Sequence, residues 1–363
     1  MMQIRRSHLL LLILSMPFAG CQMNGDKNVS GVLKSNQEIL MDSLQKLDSL
    51  VLQYRVKNAD TSMELARLGE KLAFKINTPA ARAKADNISG NARVAVNPDS
   101  ALYFYNKALL VVDSFNLAEI KGKVLYNLAM LKRSAGDYQE HILLLDSALR
   151  CSVLVNDPIT KSNSLNALGT FYFNTGEVKK AKTMFDSAFS VAVRSSLYLQ
   201  MGSALGNQAR FEADPVKSVA QQRRAIAYLE KGGDGGETVA FSLINIGYRS
   251  PNPDSAIFYF DQAISKVTPQ FAPEIIMGAY NNLAYCYLAK GDLIRAEQCI
   301  TEHALPVAEK TNNVDWQSTI YDTYGDILMK KGNEKSAKDY KTRAGRAKDK
   351  FREITTFQVK SIK

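Results

Sequence analysis

Cysteine and histidine are scarce in this chain, with four and three in 363 residues. Cys21, Cys151, Cys286 and Cys299 lack the density of a disulfide framework, and with so few histidines no metal-ligand spacing appears. Catalytic signatures are missing too: there is no Gly-x-Ser-x-Gly elbow, no His-Glu-x-x-His and no Gly-Lys-Ser/Thr phosphate loop. No catalytic residue, metal or cofactor is expected, and the chain does not read as an enzyme. After the first twenty residues no apolar run approaches the ~20 residues that span a bilayer. A basic surplus exists, 46 Lys and Arg against 36 Asp and Glu. Much of it lies between Lys338 and Lys363, which leaves no long basic stripe elsewhere. Nucleic-acid binding needs a contiguous phosphate-tracking surface, so no nucleic-acid partner is expected.

What is present begins at the N-terminus. "MMQIRRSH" is basic, "LLLLILSMPFAG" is apolar and ends in small residues, and Cys21 follows at once. This order resembles the lipobox of bacterial lipoprotein signal peptides. The resemblance implies that residues 1–20 are a signal peptide and that Cys21 is lipidated and N-acylated, several chains giving a stable anchor. The alternatives are an ordinary secretory signal cut near Gly20, or a membrane helix, for which the run is too short. The polar, Gly-containing residues from Cys21 to 34 read as a flexible leash. The resemblance places the protein in the bacterial cell envelope, anchored to a membrane through Cys21. Gln22 differs from the Asp retention signal of inner-membrane lipoproteins, so the outer membrane facing the periplasm is expected.

The body repeats. "NPDSALYFYNKAL" at Asn97–Leu109 returns as "NPDSAIFYFDQAI" at Asn252–Ile264. Each carries small, large and small residues at i, i+4 and i+7, one face of a helix. The same triplet is read at Ala66/Glu70/Ala73, Ala101/Tyr105/Ala108, His141/Leu145/Ala148, Ala181/Phe185/Ala188, Ala220/Arg224/Ala227, Ala256/Phe260/Ala263, Ala296/Ile300/His303 and Ala337/Lys341/Ala344. Successive units are 35 to 41 residues apart. Ala129, Gly169, Ala284 and Gly325 stand twelve residues before their triplets, where a small residue lets a preceding helix approach. Gly136, Gly176, Gly291 and Gly332, each followed by Asp, Glu or Asn, mark the turn between the two helices.

Leu168-Gly169-x-x-Tyr172 followed by Ala181-x3-Phe185-x2-Ala188 resembles the tetratricopeptide repeat, as does Leu283-Ala284-x-x-Tyr287 followed by Ala296. The period of about 39 is longer than the usual 34. The resemblance implies an all-α, right-handed superhelical solenoid of about eight helix pairs over residues 35–345. "EKGGDGGET" supplies a candidate hinge at 231–238, and residues 346–363 read as a basic capping helix or tail. Unlike long-period sensors of this kind, the chain is expected to carry no effector domain of its own.

Carrying over the family's concave-face positions gives Tyr126, Met130, Arg133, Asn166, Phe173, Asn207, Arg210, Tyr248, Asn281 and Tyr285 as a partner-binding groove. Lys123, Asn163 and Gln200 fall on the same face. Asn166 and Asn281 stand where a carboxylate clamp has lysine, which disfavours that mode. Asp322 and Asp326, at i and i+4, read as a solvated face, with a carboxylate pair or cation site as the alternative, and Cys286 and Cys299 as buried thiols or a disulfide across one turn. The functional expectation is a lipid-anchored scaffold that binds a protein or peptide in its groove. A lipoprotein capturing a solute or glycan is the alternative.

Overall fold

Both Asn-Pro-Asp-Ser stretches open helices. Asn97 accepts a hydrogen bond from the Ser100 N–H at 2.9 Å, and Asn252 one from the Asp254 N–H at 2.8 Å. Pro98 and Pro253 start these helices, where a missing N–H costs nothing. Gly136, Gly176, Gly291 and Gly332 all lie at φ between +76° and +81°, the left-handed conformation that glycine takes without penalty. Asp137, Asp292 and Asn333 then cap the following helices through the N–H groups of Glu140, Arg295 and Ser336. Glu177 makes no such bond.

The computed structural model describes residues 35–234, 236–268, 272–311 and 313–360, with the side chains of 355–360 left aside. Cys21, the expected signal peptide and the expected leash lie outside these residues. Eight helix pairs follow one another: α1 (Asn36–Tyr54) and α2 (Ala59–Ile76), α3 (Pro79–Arg93) and α4 (Pro98–Ser114), α5 (Ala118–Ser134) and α6 (Tyr138–Leu154), α7 (Pro158–Asn174) and α8 (Val178–Arg194). Then come α9 (Tyr198–Gln208) and α10 (Pro215–Lys231), and α11 (Glu237–Arg249) and α12 (Pro253–Ser265). In the seventh pair α13 (Pro273–Ala289) faces a broken helix, α14 (Leu293–Gln298) and α15 (Leu305–Thr311) joined by a π-turn at Cys299–Ala304. The eighth is α16 (Val314–Lys330) with α17 (Glu334–Lys360). α17 runs unbroken through residue 345, so the segment expected from 346 as a capping helix or tail continues the last repeat helix at least to Lys360.

Neighbouring first helices touch one another, α3 with α5, α5 with α7, α7 with α9, α11 with α13 and α13 with α16. The first helices therefore line the inner face of the superhelix. Within a pair, the small residue of the first helix receives the large middle member of the triplet rather than the small one that opens it. A β-carbon on Gly90 would fall 2.4 Å from the Tyr105 ring, one on Gly169 2.7 Å from Phe185, and one on Gly247 2.6 Å from Phe260. Flat rings thus fill space that only glycine leaves open.

Two triplets are corrected. In α10 the buried positions are Ser218, Gln222 and Ala225, whereas Ala220, Arg224 and Ala227 are exposed. Inside the seam Ser218 Oγ donates to the Ala209 carbonyl and Gln222 Nε2 to that of Gly206, both at 2.7 Å, while Gln222 Oε1 finds no partner among the described residues. In the seventh pair the π-turn inserts one residue into the helical phase. Ala304 takes the buried third position, and His303 turns outward to stack on Tyr280 at 4.0 Å between centroids.

The array closes on itself. Val56, at the end of the first helix, is 3% exposed and packs in one apolar cluster with Leu229, Val239, Leu243 and Val267 of the fifth and sixth pairs. Thr268 N–H donates to the Val56 carbonyl at 2.8 Å and its hydroxyl to that of Lys57 at 2.7 Å. Gln53 reaches the Gly233 carbonyl at 2.7 Å, so the glycine-rich loop expected as a hinge is pinned to the first pair. Asp234 in that loop accepts from the N–H groups of Gly236 and Val239 and fixes the entry to α11.

Candidate functional site

The inner face is built from amides that bridge neighbouring repeats. Asn127 Nδ2 donates to Asn87 Oδ1 at 2.9 Å, Asn207 Nδ2 to Asn166 Oδ1 at 3.0 Å, and Gln200 Nε2 to Asn163 Oδ1 at 3.3 Å. Lys84, Lys123, Asn163 and Gln200 share one register, each six residues before the small residue of its helix. Asp48 of α1 neutralises Lys123 and also accepts from Asn91 Nδ2 at 2.9 Å. Two of the expected groove asparagines, 166 and 207, are thus brought together directly.

Phe173 and Arg210 are also paired. The guanidinium lies 3.7 Å from the ring centroid, and Phe173 in turn meets Phe211 edge-on at 5.5 Å. Arg210 has no carboxylate partner among the described residues, and burial lowers its pKa to about 10. Arg249 donates to its main-chain carbonyl at 2.9 Å. Such stacking on an aromatic face holds a weakly hydrated cation where water is displaced.

Tyr126 and Arg133 occupy the centre, where opposite sides of the superhelix meet. Arg133 of the third pair forms an ion pair with Glu274 of the seventh at 2.7 Å, and Arg55 of the first pair one with Glu237 of the sixth at 2.8 Å. The Glu237 carboxylate raises the Arg55 pKa. Burial pushes the Glu237 carboxyl upward, but Arg55 and Arg133 together hold it below its ordinary value. Burial raises the Tyr126 hydroxyl despite both guanidiniums. Tyr138 closes the same side by meeting Phe351 of α17 edge-on at 5.7 Å, and burial lifts its hydroxyl to about 12.

Sequence reasoning missed Arg55, Glu237 and Glu274, because nothing in the repeat register links positions 141 or 182 residues apart. Met130 is half-buried. Tyr248 is 73% exposed and Tyr285 also lies open, and neither has a ring or hydrogen-bond partner among the described residues. Asn281 is 3% exposed, with its Oδ1 buried and unpartnered. Asp322 and Asp326, read from sequence as a solvated face with a cation site as the alternative, both take the Lys341 ammonium of α17, at 2.8 and 2.6 Å. Cys286 and Cys299 are free thiols, and burial pushes that of Cys299 to about 11.

A family model described as tetratricopeptide repeat matches residues 278–302. No curated protein matches the sequence. Among solved structures, a Rap protein complexed with competence and sporulation factor aligns with TM-score 0.57 and 12% identity, over 87% of this chain and 99% of that one. The Rap conjugation gene regulator of plasmid pLS20, in complex with the Phr* peptide, gives 0.54 and 13% over 87% and 97%. A human IFIT1 dimer with PPP-AAAA gives 0.52 and 15% over 87% and 75%. At these identities the likeness is one of fold. The chain thus carries one tetratricopeptide-repeat match at residues 278–302, and across the described residues its fold is that of a tetratricopeptide-repeat-like solenoid.

Proposed function

We propose that this protein is a lipid-anchored scaffold that binds a protein or peptide partner in its concave groove, in the bacterial envelope. The observation that carries the groove is the row of amides along the inner face, Asn87, Asn127, Asn166 and Asn207, at intervals of one repeat. Carboxamides both donate and accept, which suits the alternating N–H and C=O groups of an extended backbone. The Phe173–Arg210 stack beside them adds the aromatic and guanidinium chemistry in which binding energy concentrates. Two of the similar folds are solved with competence and sporulation factor and with the Phr* peptide, which supports the same class of partner here. The basic–apolar–small–Cys21 order supports the anchor and the location.

Affinity capture of the tagged full chain from detergent-solubilised cells, with mass spectrometry, tests this reading. A partner retained by wild type and lost from Asn207→Ala and Phe173→Ala supports groove binding. Equal capture by wild type and both variants moves the contact off the concave face.

A further inference from the structure

The inner face opens, near the start of the array, into a cleft of ≈ 770 Å³ that reaches Asn87, the first amide of the row, but none of Asn166, Phe173, Asn207 and Arg210. Its walls come from α1, α3, α5 and α7. Met41, Leu44, Ile88, Leu117, Ile120 and Ile159 supply apolar surface. Lys84 and Lys123 supply charge from the equivalent register of two successive repeats.

The two lysines differ in how they are compensated. Asp48 neutralises Lys123, whereas Lys84 has no carboxylate partner among the described residues. No other acid of the wall forms an ion pair with Lys84 among the described residues. Asp157 accepts from the Ile159 and Thr160 N–H groups at the start of α7, and Glu119 is exposed to solvent. Burial, and then the charge of Lys123, lower the Lys84 pKa, outweighing the opposing effect of Glu119, Asp48 and Asp42. The wall also includes the first residues of α5, a 17-residue helix with no side-chain cap at Leu117, which places the positive end of its dipole there.

We propose that this cleft binds a small organic anion with an apolar body, its carboxylate or comparable head on Lys84 and its body against the Ile88, Leu117 and Ile120 side of the wall. The volume lies within the range of small-molecule sites, which are mostly apolar with a few placed polar groups. A lone lysine head fixes the sign of the ligand's charge, and the apolar wall fixes its other end. Fully hydrated inorganic anions meet only half of this site, and neutral amphiphiles only the other half. The assignment is separable from partner binding at the Asn166–Asn207 and Phe173–Arg210 pairs, none of which lines the cleft, although Asn87 of the amide row does.

The test uses the full chain and the fluorescent anion 1-anilinonaphthalene-8-sulfonate, displaced by competitors. Decanoate is expected to displace the dye at concentrations at least tenfold below those needed for decanol or inorganic phosphate. Lys84→Met is expected to weaken decanoate about tenfold, and Lys348→Met, on exposed α17, to leave it unchanged. Circular dichroism of Lys84→Met establishes that the fold persists. Displacement by decanol as readily as by decanoate reduces the site to a greasy surface and overturns the proposal. So does equal displacement by phosphate, a Lys84→Met protein that binds decanoate as wild type does, or a wild type that binds no dye that decanoate can displace.

Discussion

Arg55 and Glu237 stand 182 residues apart in the chain and 2.8 Å apart in space. The ion pair crosses from the first repeat to the sixth, and Val56 beside it buries its side chain among residues of the fifth and sixth. Both side chains of the pair remain about one-third exposed, so solvent screens it and its own contribution is about 1 kcal/mol or less. Val56 is enclosed in apolar surroundings. Its truncation to Ala removes about two methylene equivalents of burial, some 1–2 kcal/mol. Val56→Ala is therefore expected to lower the urea midpoint more than Glu237→Gln does, and to expand the particle in small-angle X-ray scattering. A Val56→Ala protein with the wild-type midpoint and radius of gyration means that the closure contributes nothing.

Gly169 and Gly345 make opposite forecasts for the same change. A β-carbon at Gly169 meets the Phe185 ring at 2.7 Å, so Gly169→Ala overpacks the seam and is expected to cost about 1–3 kcal/mol. At Gly345, inside α17, nothing lies within 4 Å. There Ala removes glycine's entropic penalty, and Gly345→Ala is expected to stabilise by up to about 1 kcal/mol. Chemical unfolding of both variants reads the two signs. Equal shifts for the two remove the ring-over-glycine account of the seam.

His141 should make stability depend on pH. It is buried in α6, its Nδ1 2.8 Å from the Ala129 carbonyl. Burial first, with Arg133 adding to it, lowers its pKa from 6.5 to about 4, against that hydrogen bond. The unfolded chain therefore takes up the proton first. The stability that the neutral ring contributes is complete above about pH 6.5 and is lost as pH falls toward 4. The loss specific to this residue is on the order of 2–3 kcal/mol. Comparing unfolding of wild type and His141→Gln at pH 7 and pH 4.5 isolates it from other titrating groups. Parallel losses in the two proteins show that His141 is not the group responsible.

Cys21→Ala is expected to move the protein from the membrane to the soluble fraction and to abolish incorporation of labelled fatty acid. Wild type that takes up no label, together with a variant that still sediments with membranes, rules out lipidation at this cysteine.

The repeat was legible because its signals are local and recur. Small residues at i and i+7, Gly before Asp, and Pro after Asn each act over one or two helix turns, and the structure uses them at Ala181 and Ala188, at Gly136 and at Pro98. The register failed where side-chain chemistry disguised the pattern. Ser218 and Gln222 fill buried positions because the Ala209 and Gly206 carbonyls accept their hydroxyl and Nε2 protons, while nearby Ala220 and Ala227 offered a more familiar spacing. His303 misled for another reason, since a π-turn carries no marker in "CITEHA". Of the candidate groove, the Asn166–Asn207 and Phe173–Arg210 pairings join residues that the register had already placed on one face. The Arg133–Glu274 contact did not follow from it, because it depends on the accumulated curvature of three intervening pairs rather than on any one of them.

Stacked repeats ordinarily melt from their ends, since a terminal unit loses a single interface when it peels away. Here the first helix cannot leave alone. Its departure uncovers Val56, releases Thr268 and Gln53 from their partners and strands Glu237. Amide protons of α1 should therefore exchange with solvent at rates close to those of the middle repeats, where an open array would show a gradient from terminus to centre. The unit of cooperativity is then a loop of six repeats with no free end on its N-terminal side.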